Sequence, residues 1–427
     1  MHELFFLRTV CALSLMMAML VNTPALADTG SLAPIRIAMI EGVSGPFANA
    51  GLAVEHNLQF ALDQINARGG VGLPDGRHAL RLTVFDNKQG IEESLIAFKH
   101  ASDQGFSFIV QGNSSAVAQA LLSAVNKHNQ RMPTQRLLFL NYAAVDPALT
   151  NEQCSVWHFR FDAHADMRMH VLTEVIKEDA RAKKVYLIGQ DYSFGRQVNQ
   201  SARAMLAQKR PDIAIVGDEL HALGKIKDFA PYAAKIKASG ADSVITGNWG
   251  NDLTLLIKAV KEAGMDLKFY TFYANALGAP AAIGSAGVGR VYAVAEWHPN
   301  AGGRASDAYY QSFRQSYPAA QDDYLHLRMH VMIAMLAAAI ERAGSSEAAA
   351  VAAALAGASF DNGFYTASMR AADHQLLPAL YVTVMGRQGD AGVRFDNEGS
   401  HYGFKTARYF APALTALPSS CKMDGRK

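Results

Sequence analysis

Short apolar runs alternate with helical patterns along most of the chain. The first run, at 35–40, ends before Gly42 and is followed by helical periodicity from about Gly51 to Ala67. In this first part the predicted strands are 35–40, 80–85, 106–110 and 137–140, and further helices begin at 91 and 115. Strands that alternate with helices imply a parallel sheet with helices on both faces.

The alternation begins again after a predicted helix near residue 165. Predicted strands at 185–189, 213–216, 243–246 and 269–272 alternate with helices at 196–208, 229–238 and 251–263. A long helix at 321–343, another at 346–356 and a late strand at 380–385 follow. Two successive doubly wound α/β units of similar size are the simplest interpretation.

The first residues are typical of an export signal. The run 10–21 is apolar and uncharged, and Ala25 and Ala27 supply the small residues that a signal peptidase reads. We therefore predict a signal peptide at 1–27, cut after Ala27. The alternative is a membrane anchor, but the run is too short to span about 30 Å of hydrocarbon comfortably. The mature protein is expected to be exported and soluble.

Composition narrows the function classes further. Lys and Arg number 40 and Asp and Glu number 38, a balance that argues against nucleic-acid binding. Only three cysteines are present, too few for a disulfide-dense scaffold. In an oxidising compartment we expect Cys154 and Cys421 to pair, which would tie the C-terminal tail to the middle of the chain. The alternative is two unrelated thiols.

Cofactor and catalytic motifs are not indicated. The segment after the first strand contains Pro46, which does not fit a dinucleotide-binding turn, and the glycine-rich segment 284–289 precedes a strand rather than a helix. The sequence contains no Walker A, G-x-S-x-G or H-E-x-x-H motif. We expect no cofactor and no catalytic residues.

Two groups of polar residues have the spacing of metal ligands. Asp322, His326 and His330 lie at i, i+4 and i+8 of the predicted helix 321–343. A polar helix face is the simpler interpretation, and the group 164–170, with His164, Asp166 and His170, is expected on the surface. No metal site is predicted.

The residues that follow the strands are more informative, because ligands of open α/β sheets bind beyond the carboxyl ends of the strands. In the first unit these candidates are Phe47, Asn113, Ser114, Ser115, Asn141, Tyr142, Ala143 and Ala144. Ser114 or Ser115 would cap the next helix and leave backbone N–H groups for a carboxylate, although plain capping explains them equally well. The second unit supplies Tyr192, Phe194, Trp249 and Tyr273, which fit a pocket wall or, alternatively, the core.

Several segments together resemble the Leu/Ile/Val-binding family of periplasmic proteins, which serve ABC importers. The resemblance is carried by segments 37–46, 61–71, 146–150 and 191–195, and by Asp86. It implies a type I periplasmic binding fold, α/β, with two Rossmann-like lobes of parallel sheets joined by three crossover strands. It places lobe 1 at 34–160 plus 297–365, lobe 2 at 161–296 plus 366–410, and a C-terminal tail at 411–427.

The resemblance also implies ligand contacts. Its serine or alanine backbone that grips the ligand matches Ser114, Ser115 or Ala116, whereas the position of a threonine-type hydroxyl falls on Val145. Its two second-lobe aromatics match Phe194 and Trp249. The acidic partner of the ligand amine maps near Tyr273, where this chain has no acid, and Glu296 at a crossover is the candidate substitute.

These departures disfavour a zwitterionic amino acid, because an ammonium group buried without a carboxylate is costly. We expect a small carboxylate or amide with an apolar or aromatic body, held between Ser115 and Trp249 by hinge closure. The resemblance implies that the loaded protein, a monomer, docks on an inner-membrane ABC permease. An alternative is a sensor subunit that presents its ligand to a membrane kinase. An enzyme is disfavoured, because Asp191 and Glu296 lack a partnered base.

Overall fold

The computed structural model describes residues 32–45 and 48–423. The predicted signal peptide 1–27, the candidate ligand residue Phe47 and the end of the tail at 424–427 lie outside the described residues.

Strands and helices alternate through most of the described chain. The strands are β1 (Ile35–Glu41), β2 (Val71–Leu73), β3 (Gly76–His78), β4 (Leu80–Asp86), β5 (Phe108–Gln111), β6 (Leu138–Asn141), β7 (His158–Arg160), β8 (Lys184–Gln190), β9 (Ala214–His221), β10 (Ser243–Thr246), β11 (Lys268–Thr271), β12 (Val291–Ala295), β13 (Ser359–Asp361), β14 (Thr366–Met369), β15 (Leu376–Pro378), β16 (Leu380–Arg387) and β17 (Tyr402–Phe410). The helices are α1 (Ala48–Asn66), α2 (Ile91–Asp103), α3 (Ser115–Arg131), α4 (Ala165–Glu178), α5 (Ser193–Lys209), α6 (Ala230–Ser239), α7 (Asn251–Glu262), α8 (Ala279–Ile283), α9 (Arg304–Ser316), α10 (Leu327–Ala343), α11 (Ala348–Leu355) and α12 (Pro412–Thr415).

The first lobe is built on a five-stranded parallel sheet in the order β4-β1-β5-β6-β7. Alternate residues of β1 enter opposite cores: Ile37 and Met39 pack with α1 and α10, whereas Ala38 and Ile40 pack with α2 and α3. The central strands β5 and β6 are buried along their whole length because both faces of the sheet are covered there, so each is a nearly continuous apolar run. That is why the sequence pattern identified them.

The second lobe contains a seven-stranded sheet in the order β17-β16-β12-β11-β10-β8-β9. Strands β8 to β12 are parallel, as expected, and α4 and α5 cover one face while α6 and α7 cover the other. The edge differs from the expectation, since β16 pairs antiparallel with β12 and with β17. Strand β17 was not predicted, because its outer residues are polar and it lies at the edge of the sheet.

The chain passes between the two sheets after β7, after β12 and through the small antiparallel sheet β13-β14-β15. Two buried side chains join these passages. Arg160 donates from Nε to Oε1 of Gln375 at 2.7 Å, and Gln375 donates from Nε2 to the carbonyl of Asp162 at the same distance. The first and third passages are therefore fastened side by side, as a hinge requires.

The tail returns from the second lobe to the first. The predicted disulfide between Cys154 and Cys421 is formed, with their Cα atoms 5.7 Å apart. Ser419 donates from its hydroxyl to the carbonyl of Thr150 at 3.2 Å, and the backbone N–H of Ser420 donates to Oδ1 of Asn151 at 3.0 Å. The tail thus adds a covalent connection between the lobes to the three passages of the main chain.

The long helix predicted at 321–343 begins later, at Leu327. The preceding residues are held in other conformations by side-chain bonds. Asp323 accepts hydrogen bonds from the Tyr310 hydroxyl and the Glu398 backbone, and the backbone N–H of His326 donates to Asn57. The continuous polar helix face predicted there was therefore wrong.

His164 also differs from the prediction, because it is buried and caps α4. Among the described residues, no group of His, Cys, Asp or Glu has the arrangement of a metal site. In the same part of the chain, no helix is both long and apolar enough to cross a bilayer.

Candidate functional site

A cavity of about 450 Å³ lies between the lobes, where the carboxyl ends of both sheets face each other. Small-molecule sites commonly measure about 300–1,000 Å³. Its wall includes the predicted residues Asn113, Ser114, Ser115, Tyr142, Ala143, Ala144, Tyr192, Phe194, Trp249, Tyr273 and Glu296. The predicted strand ends therefore meet at one cavity.

The first-lobe wall contains the start of α3. Ser114 caps this helix, with its hydroxyl oxygen accepting from the N–H of Val117 at 3.4 Å, and its backbone has a φ of 117°, which is unusual for a residue other than glycine. Ser115 accepts from the N–H of Asp146 at 3.2 Å and so joins the two first-lobe loops. The positive end of the helix dipole consequently faces the cavity, which favours an anion.

A buried carboxylate supports this loop from behind. Oε1 of Glu41 accepts from the N–H groups of Gly112 and Asn113 at 2.7 and 2.9 Å and from the Tyr142 hydroxyl at 2.5 Å. Burial raises the pKa of Glu41 to about 7, although these hydrogen bonds oppose the rise. The sequence prediction missed Glu41, and the available signal was a charged residue at the end of an apolar strand.

Asn141 does not line the cavity, which corrects its prediction as a ligand contact. It is buried beneath the turn that does. Its Oδ1 accepts from the N–H groups of Ala143 and Ala144 at 3.1 and 2.7 Å, and its Nδ2 donates to the Ala144 carbonyl at 2.9 Å. An asparagine at a strand end commonly stabilises such a turn, and here that role replaces ligand contact.

Aromatic side chains form the second-lobe wall. Trp249 donates from Nε1 to the Tyr192 hydroxyl at 3.0 Å, which fixes both rings. Phe194 lies behind them, with ring centroids 5.7 Å from Tyr192 and 6.1 Å from Tyr273. Phe194 is fully buried and belongs to both the core and the wall, whereas the other three are partly exposed to the cavity. This wall presents an apolar, π-rich surface to a ligand.

Two arginines that the sequence prediction missed join the wall. Arg328 of α10 donates from Nη1 to Oε1 of Glu296 at 2.7 Å, and Arg168 of α4 lies 3.9 Å from the other oxygen of Glu296. Arg168 also bonds Asp162 at 2.6 Å, and Arg328 lies 3.6 Å from the same carboxylate. All four side chains are buried, and their formal charges cancel. We refer to Asp162, Arg168, Glu296 and Arg328 as the charge cluster.

Electrostatics in the charge cluster favour the ionised forms of Glu296, Arg168 and Arg328. Burial by itself would raise the pKa of Glu296, but the positive charges of Arg328 and Arg168 outweigh it and lower that pKa to about 2. Burial raises the pKa of the neighbouring Tyr273 to about 12, so this phenol stays neutral beside the Arg168 guanidinium. Burial also lowers the pKa of His326 to about 3. The histidine is therefore neutral at physiological pH.

The lobes are in contact at the mouth of the cavity. Gly278, which follows β11 of the second lobe, donates from its backbone to the hydroxyl of Tyr324 at 2.6 Å. Tyr324 precedes α10 and packs with the first lobe, where its carbonyl accepts from Asn57 at 2.7 Å. This arrangement is a closed one.

Comparison with known proteins agrees with this architecture. A family model described as "Periplasmic binding protein" matches residues 34–390. Leu/Ile/Val-binding protein homolog 4 of Brucella melitensis is 32% identical over 410 residues, which cover 93% of this chain and 94% of that protein.

Solved structures give the same result. The closed conformation of a leucine-, isoleucine-, valine-, threonine- and alanine-binding protein from Brucella ovis is 30% identical, with a TM-score of 0.81 over 92% of this chain and 99% of that one. A solute-binding protein of an ABC transporter from R. palustris, in complex with benzoate, shares the fold, with a TM-score of 0.75 at 17% identity over 91% of this chain and 100% of that one. These relatives are binding proteins rather than enzymes. The chain belongs to the periplasmic binding protein family, and it has the type I fold that its sequence predicted.

Proposed function

We propose that this protein captures a small carboxylate or amide with an apolar or aromatic body, and no free amine, in the cavity between its lobes. The observation that carries the proposal is the state of the three acids in the described wall, Asp252, Glu296 and Asp323. Each already has partners within the protein. A ligand ammonium would therefore compete with existing partners at each of these carboxylates.

Those partners are specific. Asp252 accepts from Nε2 of Gln190 at 2.8 Å and from the backbone of Gly224 at 2.9 Å. Asp323 accepts from Tyr310 and Glu398, and Glu296 is paired with Arg328. An ammonium group that enters such a site has to displace these partners to pair with a carboxylate, and a buried donor left without its acceptor costs about 1–3 kcal/mol.

The rest of the wall suits the proposed ligand. The start of α3 supplies backbone donors and a positive dipole end for the carboxylate or the amide oxygen. Trp249 and Tyr192 lie on the opposite lobe and suit a flat or branched apolar body. The name of the Brucella melitensis relative refers to leucine, isoleucine and valine, and the R. palustris protein was solved with benzoate. All of these ligands combine a carboxylate with an apolar body.

Binding is coupled to closure, because a ligand between Ser115 and Trp249 contacts both lobes only when they are together. The ligand therefore binds the closed form preferentially and shifts the hinge equilibrium towards it. A shift from 1:99 to 99:1 requires about 5.5 kcal/mol of differential binding. A few charge-assisted hydrogen bonds and one stacked ring are on that scale.

The proposed transport role is based on the similarity to these relatives. They are binding proteins, and the R. palustris protein is the solute-binding protein of an ABC transporter, which favours delivery to an inner-membrane permease over presentation to a sensor kinase. The closed lobes form the docking surface, and a single copy carries a complete cavity, which supports a monomer. The lobe boundaries, 34–160 plus 297–365 and 161–296 plus 366–410, remain a prediction, as does the cleavage after Ala27.

Calorimetric titration tests the ligand class. The panel pairs leucine with 4-methylpentanoate, its analogue without the amine, and adds phenylacetate, benzoate and benzamide. We expect 4-methylpentanoate or an aromatic member to bind more tightly than leucine. Native mass spectrometry of the purified protein should reveal any retained ligand. Tight leucine binding without binding of the amine-free analogue would overturn the proposal.

A further inference from the structure

The Arg328–Glu296 ion pair connects the two lobes within the cavity wall. Arg328 lies in the first turn of α10, which packs in the first-lobe core, and Glu296 directly follows β12 of the second-lobe sheet. Their side chains are 9% and 7% exposed, and both residues line the cavity. Glu296 is also the candidate acidic partner of a ligand amine, because this chain has Tyr273 where an acid was expected.

We propose that Arg328 determines the specificity of this cavity: by neutralising Glu296 it prevents that carboxylate from accepting a ligand ammonium group. This inference rests on the proposed function, which it extends to a named residue.

The charge balance of the cluster carries the argument. Each of the two guanidiniums lies within 4 Å of both carboxylates, and all four groups are removed from water, so the formal charge of the cluster as a whole is zero. An ammonium that approached Glu296 would also meet Arg328 and Arg168, whose charges repel it. The attraction that Glu296 alone would offer is therefore cancelled.

The other ionisable groups around Glu296 do not change this balance. Tyr273 lies against Arg168 and is neutral, and the His326 ring is neutral as well. Burial and the adjacent carboxylates keep the Tyr365 phenol protonated. Removal of one arginine charge should therefore leave a net negative cluster that attracts an ammonium group.

The test uses three variants of the full-length protein, titrated with leucine and 4-methylpentanoate. Arg328→Gln leaves the cluster with one excess negative charge and should shift the affinity ratio towards leucine at least tenfold. Glu296→Gln leaves one excess positive charge and should shift the ratio at least threefold in the opposite direction. The Arg328→Gln/Glu296→Gln double variant is neutral again, and its ratio should return towards that of the unmodified protein.

A matched control removes an arginine from an ion pair away from the cavity. Arg203→Gln breaks an exposed pair with Asp218 on the second lobe and should leave the ratio unchanged. Circular dichroism and thermal unfolding verify that each variant is folded. If Arg328→Gln does not fold, Glu296→Gln decides, because it retains both arginines.

The outcomes separate the two claims. Tighter binding of leucine than of every amine-free member of the panel by the unmodified protein overturns the proposed function, whatever the variants do. The role of Arg328 alone is overturned if the unmodified protein prefers 4-methylpentanoate and folded Arg328→Gln or Glu296→Gln changes the affinity ratio by less than twofold. Opposite shifts in the two single variants, with recovery in the double variant, support it.

Discussion

The Tyr142 hydroxyl donates a hydrogen bond of 2.5 Å to the buried carboxylate of Glu41, although the two residues lie 101 positions apart. The same carboxylate oxygen, Oε1 of Glu41, also accepts from the backbone N–H groups of Gly112 and Asn113, which follow β5. One carboxylate oxygen thus holds together the ends of β1, β5 and β6, from which the first-lobe wall is built.

Glu41 should make stability depend on pH. Burial raises its pKa from 4.5 to about 7, so between these values the folded protein holds a proton that the unfolded chain has released. The free energy of unfolding should therefore fall as pH rises from about 4.5 to 7, by on the order of 3 kcal/mol. Glu41→Gln can accept the same three hydrogen bonds without titrating, and it should remove this component of the slope.

Urea unfolding of both proteins at pH 5, 6, 7 and 8 measures the effect. The difference between their slopes isolates Glu41 from other titrating groups. Parallel stability curves would show that Glu41 does not take up a proton in this range.

Trp249→Ala should weaken ligand binding by about 1–3 kcal/mol, the scale of one lost aromatic contact. Titration with the tightest member of the panel measures the loss. Tyr192→Phe is the control, because it retains the aromatic surface and removes only the acceptor of the Trp249 indole. An affinity that Trp249→Ala leaves unchanged would place the ligand away from this wall.

Ser114 combines a helix cap with a positive φ, and two substitutions separate these effects. Ser114→Ala loses the cap and should destabilise the protein by about 1 kcal/mol. Ser114→Gly also loses the cap but adopts φ of 117° without strain, so it should cost less. Denaturant midpoints measure both. A glycine variant less stable than the alanine variant would contradict this account.

Removal of the Cys154–Cys421 bridge should lower stability. The cysteines are separated by 267 positions, and the chain-entropy model gives up to about 5 kcal/mol for a loop of this size. The Cys154→Ser/Cys421→Ser double variant avoids a free thiol and is compared with the oxidised protein by urea unfolding. Adding a reductant should destabilise the unmodified protein and leave the double variant unchanged. Equal stabilities in oxidising buffer would show that the bridge adds nothing.

Much of the fold could be predicted from the sequence, because the central strands are apolar runs bounded by turns. The wall positions Ser114 and Trp249 were found for the same reason: each lies three residues beyond the end of a strand. Arg168 and Arg328 could not be found in this way, since each lies in the first turn of a helix and reads as part of a polar face. The available signal was the apolar residue on each side of the arginine: Met167 and Met169 beside Arg168, and Leu327 and Met329 beside Arg328.

Asn141 and the start of α10 were misjudged for a different reason. Their conformations depend on partners that are distant in sequence or on local backbone groups, and hydrophobic periodicity carries no information about these. The hydrogen bond from the His326 backbone to Asn57, which joins residues 269 positions apart in the sequence, is an example. Such contacts appear only when the two segments have been brought together by the fold.

The bridge between Cys154 and Cys421 also sets an order of maturation. During export Cys154 emerges well before Cys421. It therefore remains a thiol until β16 and β17, at the edge of the second sheet, have also emerged. Oxidation at this pair is therefore a late covalent event, and the oxidised form reports that the tail has reached the first lobe. If the signal is cut after Ala27, Cys11 leaves with it, and the waiting thiol has no competing partner in the chain.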